Sequence, residues 1–279
     1  MLTTLPKESR RSASQQSNAK GFLPYFSGIF FVGIQLREMP GEAGVCAYAN
    51  ADQGAGKNCE KETRSGSMKR YVSNSDESVR MFQNNFLEFF SHVHPSIPAI
   101  IYLPVIALMF YRSVTAGLSL SYVLPLFVLG ILVWSLTEYF LHRFVFHFVP
   151  KSNWGKQIHF MFHGVHHDYP SDSTRLVMPP IISVPLAILF YFVFTNILGA
   201  HYLPPFFAGF IVGYLTYDLT HYAVHHFSLH GKFGLYLKQH HMRHHFMDPD
   251  NNFGVSSPLW DFVFGTFVRK RQESATAER

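Results

Sequence analysis

Cysteine is almost absent. Cys46 and Cys59 are the only two in 279 residues, and both lie in the polar N-terminal region. No disulfide framework and no cysteine-based zinc site is available. Charge is scarce as well, at 15% of residues against 16% aromatic, with 29 phenylalanines. That balance is far from a disordered or nucleic-acid-binding chain and suits a protein immersed in lipid. The net charge of +5 gathers into no basic stripe beside a nucleic-acid motif, which excludes nucleic acid as a partner. Next to apolar runs, positive charge is a topology signal instead.

With cysteine excluded, histidine is the metal-ligand type that remains, and it is abundant. Fifteen of the 17 histidines fall between His142 and His245, thirteen of them in four clusters. They are His142 and His147; His159, His163, His166 and His167; His221, His225 and His226; and His240, His241, His244 and His245. Imidazole is the commonest biological metal ligand, and these rings are too many for one tetrahedral zinc.

Residues 1 to about 80 are rich in Ser, Gly, Ala, Lys and Glu and read as a poorly ordered extension or a targeting segment. The apolar stretch Gly21–Leu36, following Lys7, Arg10, Arg11 and Lys20, weakly resembles a signal-peptide core or transit peptide. A non-native or misassigned start is another reading of this region, with Met68 or Met81 as later alternatives. The membrane-embedded domain is expected over 81–279. Phe82, Phe86, Phe89 and Phe90 recur at helical spacing beside Gln83, Asn84 and Asn85, which predicts a helix lying on the membrane surface.

Apolar runs follow at about 97–111, 120–141, 181–199 and 205–220. A span needs roughly 20 residues, with about 17 as the lower limit. The first and fourth runs are short, and pairing the four as two hairpins accommodates them. Ser113–Leu118 and Gly199–Pro204 are the tight links. These linking loops hold only Arg112, whereas the opposite side carries Lys69, Arg70, Arg80, Arg143, Lys151, Lys156, Arg175, Lys232, Lys238, Arg243, Arg269, Lys270 and Arg271. By the positive-inside rule that side is cytoplasmic. All four histidine clusters lie on it, because two spans separate the first pair of clusters from the last pair.

On an α-helix, residues three and four apart share a face. His163, His166 and His167 fit that rule, so three ring nitrogens are expected to converge on one point. His241, His244 and His245 repeat the pattern, and His221 and His225 add a pair. His142 and His147 are five apart, about 140° around a straight helix. They are not expected to share one metal: each serves a different ion, or the helix ends between them. Together these ten allow two ions with about five histidines each, bridging oxygen completing each shell. His226 and His240 fall off the shared faces, whereas spacing alone admits His159, four before His163. His201 and His230 read as loop residues, and His92 and His94 as interfacial ones.

Two carboxylates stand beside these rings. Glu138 is four before His142 and Asp218 three before His221, both on apolar helices where an unpaired charge is costly. Each is placed to accept the far N–H of a ligand imidazole; the alternative is an ion pair with Arg143 or Arg175.

The strings Glu138–His147, His163–His167, Arg175–Pro180, Gly213–Asp218, Asn252–Ser257 and Trp260–Thr266 resemble the fatty acid 2-hydroxylase family, within the fatty acid hydroxylase and sterol desaturase superfamily. Similarity runs from about Met81 to Thr266. The resemblance implies an all-α integral membrane fold with four transmembrane helices beneath a cytosolic helical cap that holds a dinuclear metal site. It places the ligands at His142, His147, His163, His166, His167, His221, His225, His241, His244 and His245, and leaves out His159, His226 and His240. Many relatives carry an N-terminal haem domain marked by a His-Pro-Gly-Gly motif. Here His94-Pro95 is followed by Ser96-Ile97, so electrons are expected from a separate b-type cytochrome or other carrier. The resemblance favours the endoplasmic reticulum, with the bacterial inner membrane open for a prokaryotic source.

Hydroxylating an unactivated methylene takes an oxidant stronger than any side chain, so the chemistry falls to a metal and O2. Zinc has no redox chemistry, which predicts two iron ions, with zinc as a substitute that histidine sites accept readily. Histidines at the cytoplasmic span ends sit at headgroup level, as does carbon 2 of an acyl chain. A fatty acid or N-acyl sphingolipid fits as lipid substrate, with Phe144, Phe146, Phe160 and Phe162 as candidate groove walls. A sterol or carotenoid oxidase of the same superfamily is the nearest alternative. A metal transporter is a further one, although transporters set their ligands near mid-membrane.

Overall fold

In the computed structural model, residues 72–73 and 75–269 are described. The expected N-terminal extension, apart from its last few residues, lies outside the described residues. No β-strand occurs among the described residues, and three helices are long and apolar enough to cross a membrane. The short helix α1 (Asn85–Ser91) comes first, then α2 (Ile97–Thr115) and α3 (Leu120–Phe140). The chain leaves α3 through a π-helical stretch, Leu141–Phe146. Next come α4 (Asn153–His159), a π-helical turn Phe160–Gly164, and α5 (Val165–Asp168). The long α6 (Pro180–His226) precedes α7 (Lys232–Phe246) and α8 (Leu259–Val263).

At 47 residues, α6 would reach about 70 Å if straight, more than twice the hydrocarbon thickness of a bilayer. It is broken at Gly199, whose φ of 73° and ψ of 159° are not helical. Only glycine adopts that conformation without strain. The two limbs fold back on one another: Phe194 meets Phe206 at 4.8 Å and Phe190 meets Phe210 at 5.0 Å between ring centroids. The link expected over Gly199–Pro204 is thus reduced to one residue. His201, read from the sequence as a loop residue, is helical and packs on Tyr202.

Helices α2 and α3 pack on α6 around a core that includes Tyr102, Ile106, Met109, Trp134, Phe207, Phe210 and Tyr214. Trp134 meets Phe210 and Tyr214 edge-on at 5.1 and 5.2 Å. Small residues let α3 and α6 approach closely, as is usual between helices in lipid. A Cβ on Gly209 would stand 1.9 Å from the Phe127 carbonyl oxygen, and one on Gly130 would stand 2.1 Å from that of Phe206. The outer faces carry exposed Leu103, Leu108, Leu124, Val128, Ile188, Leu189 and Phe192. Apolar surface on this scale fits contact with lipid chains. In α1, the Asn84 side chain caps the helix by accepting from the Phe86 amide at 2.8 Å. Its Phe86 and Phe89 are exposed, whereas Phe82, expected on the same helix, precedes its start.

Candidate metal centre

Two groups of five histidines form where the ends of α3 and α6 meet α5 and α7. The first comprises His142, His147, His163, His167 and His244; the second comprises His166, His221, His225, His241 and His245. In each, one nitrogen per ring lies within 4.8 Å of all the others. These are the ten residues singled out from the sequence, but three details of their grouping differ from what spacing predicted.

His142 and His147 belong to one group. The helix neither ends nor stays α-helical between them. Leu141–Phe146 is π-helical, and the His147 amide donates to the His142 carbonyl at 3.2 Å. An i→i+5 turn brings the fifth residue back over the first, so the separation of about 140° on an α-helix does not apply. The triplets, in contrast, are split. His163 and His167 share one group while His166 joins the other; His241 and His245 share one while His244 joins the other. On an α-helix the third and fourth residues along are about 100° apart. A helix lying between two ligand groups therefore sends i and i+4 to one and i+3 to the other. His221 and His225 obey the same rule.

The remaining histidines fall outside. His159 precedes the second π-helical turn and belongs to neither group. The His226 ring stacks on Tyr222 at 4.6 Å. His240 is fully buried and bonded through Nε2 to Asp261 at 2.9 Å. His92 contacts Glu88 at 3.2 Å and Thr174 at 2.7 Å, and His94 contacts Ser96.

The donor set fits a cation. His163 Nε2 lies 3.1, 3.1 and 3.0 Å from the Nε2 atoms of His142, His147 and His167. A single imidazole nitrogen either donates one hydrogen or accepts with one lone pair, so it cannot hydrogen-bond to three neighbours. A shared ion satisfies all of them. Bonds of about 2.1 Å at right angles place adjacent nitrogens about 3.0 Å apart, whereas a tetrahedron would place them about 3.4 Å apart. In the second group the corresponding separations are 2.9, 3.0 and 3.1 Å. Burial, and then the neighbouring rings, hold His163, His241 and His245 well below the ordinary imidazole value of 6.5. They are neutral and available as ligands.

Neither Glu138 nor Asp218 meets a ligand imidazole as the sequence suggested, and neither pairs with an arginine. Glu138 accepts from the amides of Val255 and Ser256 at 2.8 and 2.9 Å and from the Ser256 hydroxyl. Asp218 accepts from the Met178 amide at 3.1 Å and the Tyr214 hydroxyl at 3.2 Å. Both are buried and secure backbone segments beside the site. Arg175 instead contacts Glu88 at 2.6 Å, joining α1 to the segment before α6.

Sequence reasoning missed Asp261, fully buried and accepting from the amides of Phe253 and Gly254 at 2.8 Å each. It also missed two backbone carbonyls. The Phe253 carbonyl accepts from His142 Nδ1, and the Asn251 carbonyl accepts from His244 Nδ1 at 2.8 Å. No residue type marks a backbone acceptor, so periodicity could not reveal them; an aspartate in an aromatic string was the one available signal.

A cavity of about 240 Å³ opens beside the histidines, with His163, His166 and His221 at one side and Phe82, Phe90, Leu176, Met178 and Ile182 among its apolar walls. Phe146 and Phe162 line it, whereas Phe144 and Phe160 do not contribute. Residues 127–266 match the fatty acid hydroxylase family, a stretch that contains all ten grouped histidines. The chain belongs to this family. It is 42% identical over 191 residues to the dihydroceramide fatty acyl 2-hydroxylase FAH1 of Arabidopsis thaliana, covering 68% of this chain and 80% of that one. The fatty acid 2-hydroxylase of Rattus norvegicus is 39% identical over 212 residues, covering 68% of this chain and 57% of that protein. A solved structure of full-length scs7p, with only its hydroxylase domain visible, matches with a TM-score of 0.63 and 38% identity, covering 68% of this chain and 72% of that one.

Proposed function

We propose that this chain is an integral membrane hydroxylase that places a hydroxyl group on carbon 2 of a fatty acid or of the N-acyl chain of a sphingolipid. The observation that carries the proposal is the meeting of two five-histidine groups with an apolar cavity at the ends of the spans. Two iron ions are the proposed cofactors, one in each group, with zinc as an inert substitute. Bound there, iron supplies the activation of O2 that no side chain provides. One oxygen atom enters the C–H bond and the other leaves as water. That balance takes two electrons and two protons, delivered by a separate b-type cytochrome or comparable carrier.

The chain's own groups do the rest. The cavity walls hold the acyl tail and exclude water, while its polar end lets the carboxyl or amide stay at headgroup level. Carbon 2, adjacent to that head, then lies nearest His163, His166 and His221. Glu138 and Asp218 fix the backbone around the rings so that the ligands are oriented before substrate arrives. In this reading α2, α3 and the two limbs of α6 make four crossings as two hairpins. The membrane domain starts near residue 81, with the histidine cap on the cytoplasmic side, in the endoplasmic reticulum or, in a prokaryote, the inner membrane.

The test is lipid mass spectrometry on cells expressing the chain with a compatible electron carrier. Wild type should raise 2-hydroxylated acyl lipids, and His166→Ala should abolish the rise. Equal product from both would reject the proposal. Oxidised sterols or carotenoids in place of 2-hydroxy acids would move the assignment elsewhere in the superfamily.

A further inference from the structure

The two histidine groups differ in what stands behind the rings. In the first group, His142 and His244 each present Nδ1 to a backbone carbonyl, those of Phe253 and Asn251. In the second, the buried Nδ1 atoms of His166, His241 and His245 have no hydrogen-bond partner, and His221 alone of the group's buried rings faces a backbone carbonyl, that of Leu176. A carbonyl behind a ligand imidazole fixes the Nδ1–H tautomer, aims the Nε2 lone pair at the metal and raises the basicity of the ring.

Those two carbonyls are held by the surrounding structure. Four consecutive amides, of Phe253, Gly254, Val255 and Ser256, donate to just two buried carboxylates, Asp261 and Glu138. The Phe253 carbonyl shares its peptide unit with the Gly254 amide, which is bonded to Asp261 at 2.8 Å. The Asn251 carbonyl shares its unit with the Asn252 amide, which is bonded to the Thr266 carbonyl at 2.9 Å. A peptide group whose N–H is engaged is the stronger acceptor at its oxygen. Asn252 supports the turn with a φ of 59°, and its side chain bridges to Val268. Asp261 is itself fixed by His240 at 2.9 Å and by Thr266 Oγ1 at 2.7 Å.

We propose that the two metal positions are unequal in affinity, the one formed by His142, His147, His163, His167 and His244 being the tighter because Asp261 and Glu138 grip the loop behind it. Asp261 is thereby a positioning residue: it acts on the metal through the Phe253 carbonyl and His142. The inference rests on the two-ion reading above.

Equilibrium zinc binding to the full chain in detergent micelles tests it without using activity. Apo protein would be titrated in chelator-buffered zinc, and bound metal per chain measured by elemental mass spectrometry. Two steps are expected, separated by about tenfold to a hundredfold in free zinc, the usual effect of such outer partners on metal affinity. His225→Ala should remove the weaker step and His147→Ala the tighter one. Asp261→Asn should move the tighter step toward the weaker and leave the latter in place. Two ions taken up in a single step, or the opposite assignment by the alanine variants, overturns the proposal while sparing the two-ion reading. Saturation at fewer than two ions overturns both. Because wild type and the two alanine variants decide the order of affinity, misfolding of Asp261→Asn leaves that order testable; a folded Asp261→Asn with unchanged steps removes Asp261 from the account.

Discussion

The histidines are competent as ligands because burial keeps their rings neutral. Burial is the main cause that holds His163, His166, His241, His244 and His245 below the ordinary value of 6.5, and neighbouring rings add to it. Because these folded-state values are depressed, the unfolded chain takes up protons first as pH falls. Their contribution to stability is therefore intact above about pH 6.5 and lost progressively below it. Metal competes with the same protons. Bound metal and the midpoint of thermal unfolding should both be level from about pH 7 to 8 and decline together as pH falls from about 6.5 to 5. A profile that stays flat through that window would contradict neutral, buried ligands.

Helix geometry sorts the rings. The π-helical stretches Leu141–Phe146 and Phe160–Gly164 flank the site, in keeping with the frequent placement of such turns at functional sites. The first unites His142 with His147. Regular α-helical spacing in α7 then divides His241 and His245 from His244. Below the site, close contact of α3 with α6 sets how near these termini come. Gly209→Ala would drive a Cβ against the Phe127 carbonyl. It should lower stability by about 1–3 kcal/mol, the usual cost of overpacking. Leu124→Ala, on the outer face at 57% exposure, should change thermal unfolding in micelles far less. Equal effects of the two would place the contact elsewhere.

The described residues form an apolar bundle with a polar, histidine-filled cap. Helix α1, tied by Arg175 to the segment before α6, supplies Leu87 and Phe90 to the cavity wall and leaves Phe86 and Phe89 exposed. In the proposed function, such a helix at the interface would let a lipid move from the bilayer to the histidines without crossing water. The proposed orientation is testable by thiol labelling in sealed vesicles. In a background with Cys46→Ser and Cys59→Ser, an impermeant reagent should label Ser228→Cys from the cytoplasmic side and Ala116→Cys only from the other. Labelling of both from one side would rule out a hairpin of α2 and α3 that spans the membrane.

How much of this was legible depends on what carries each feature. Near absence of cysteine, scarce charge, apolar runs and helical spacing are properties of side chains along the chain, so the sequence alone determined a helical membrane protein with clustered histidine ligand candidates, which the family resemblance narrowed to ten by leaving out His159. It also located the break in α6, because Gly199 and the prolines after it mark it directly. Tertiary structure decided how the ten divide into five and five. That division depends on helix type and on where each helix lies relative to two centres, neither of which periodicity encodes. It likewise decided the partners of Glu138 and the importance of Asp261, since both act on backbone amides and carbonyls more than a hundred residues or one sharp turn away. Such groups are the same in every residue, and only the folded path of the chain chooses among them.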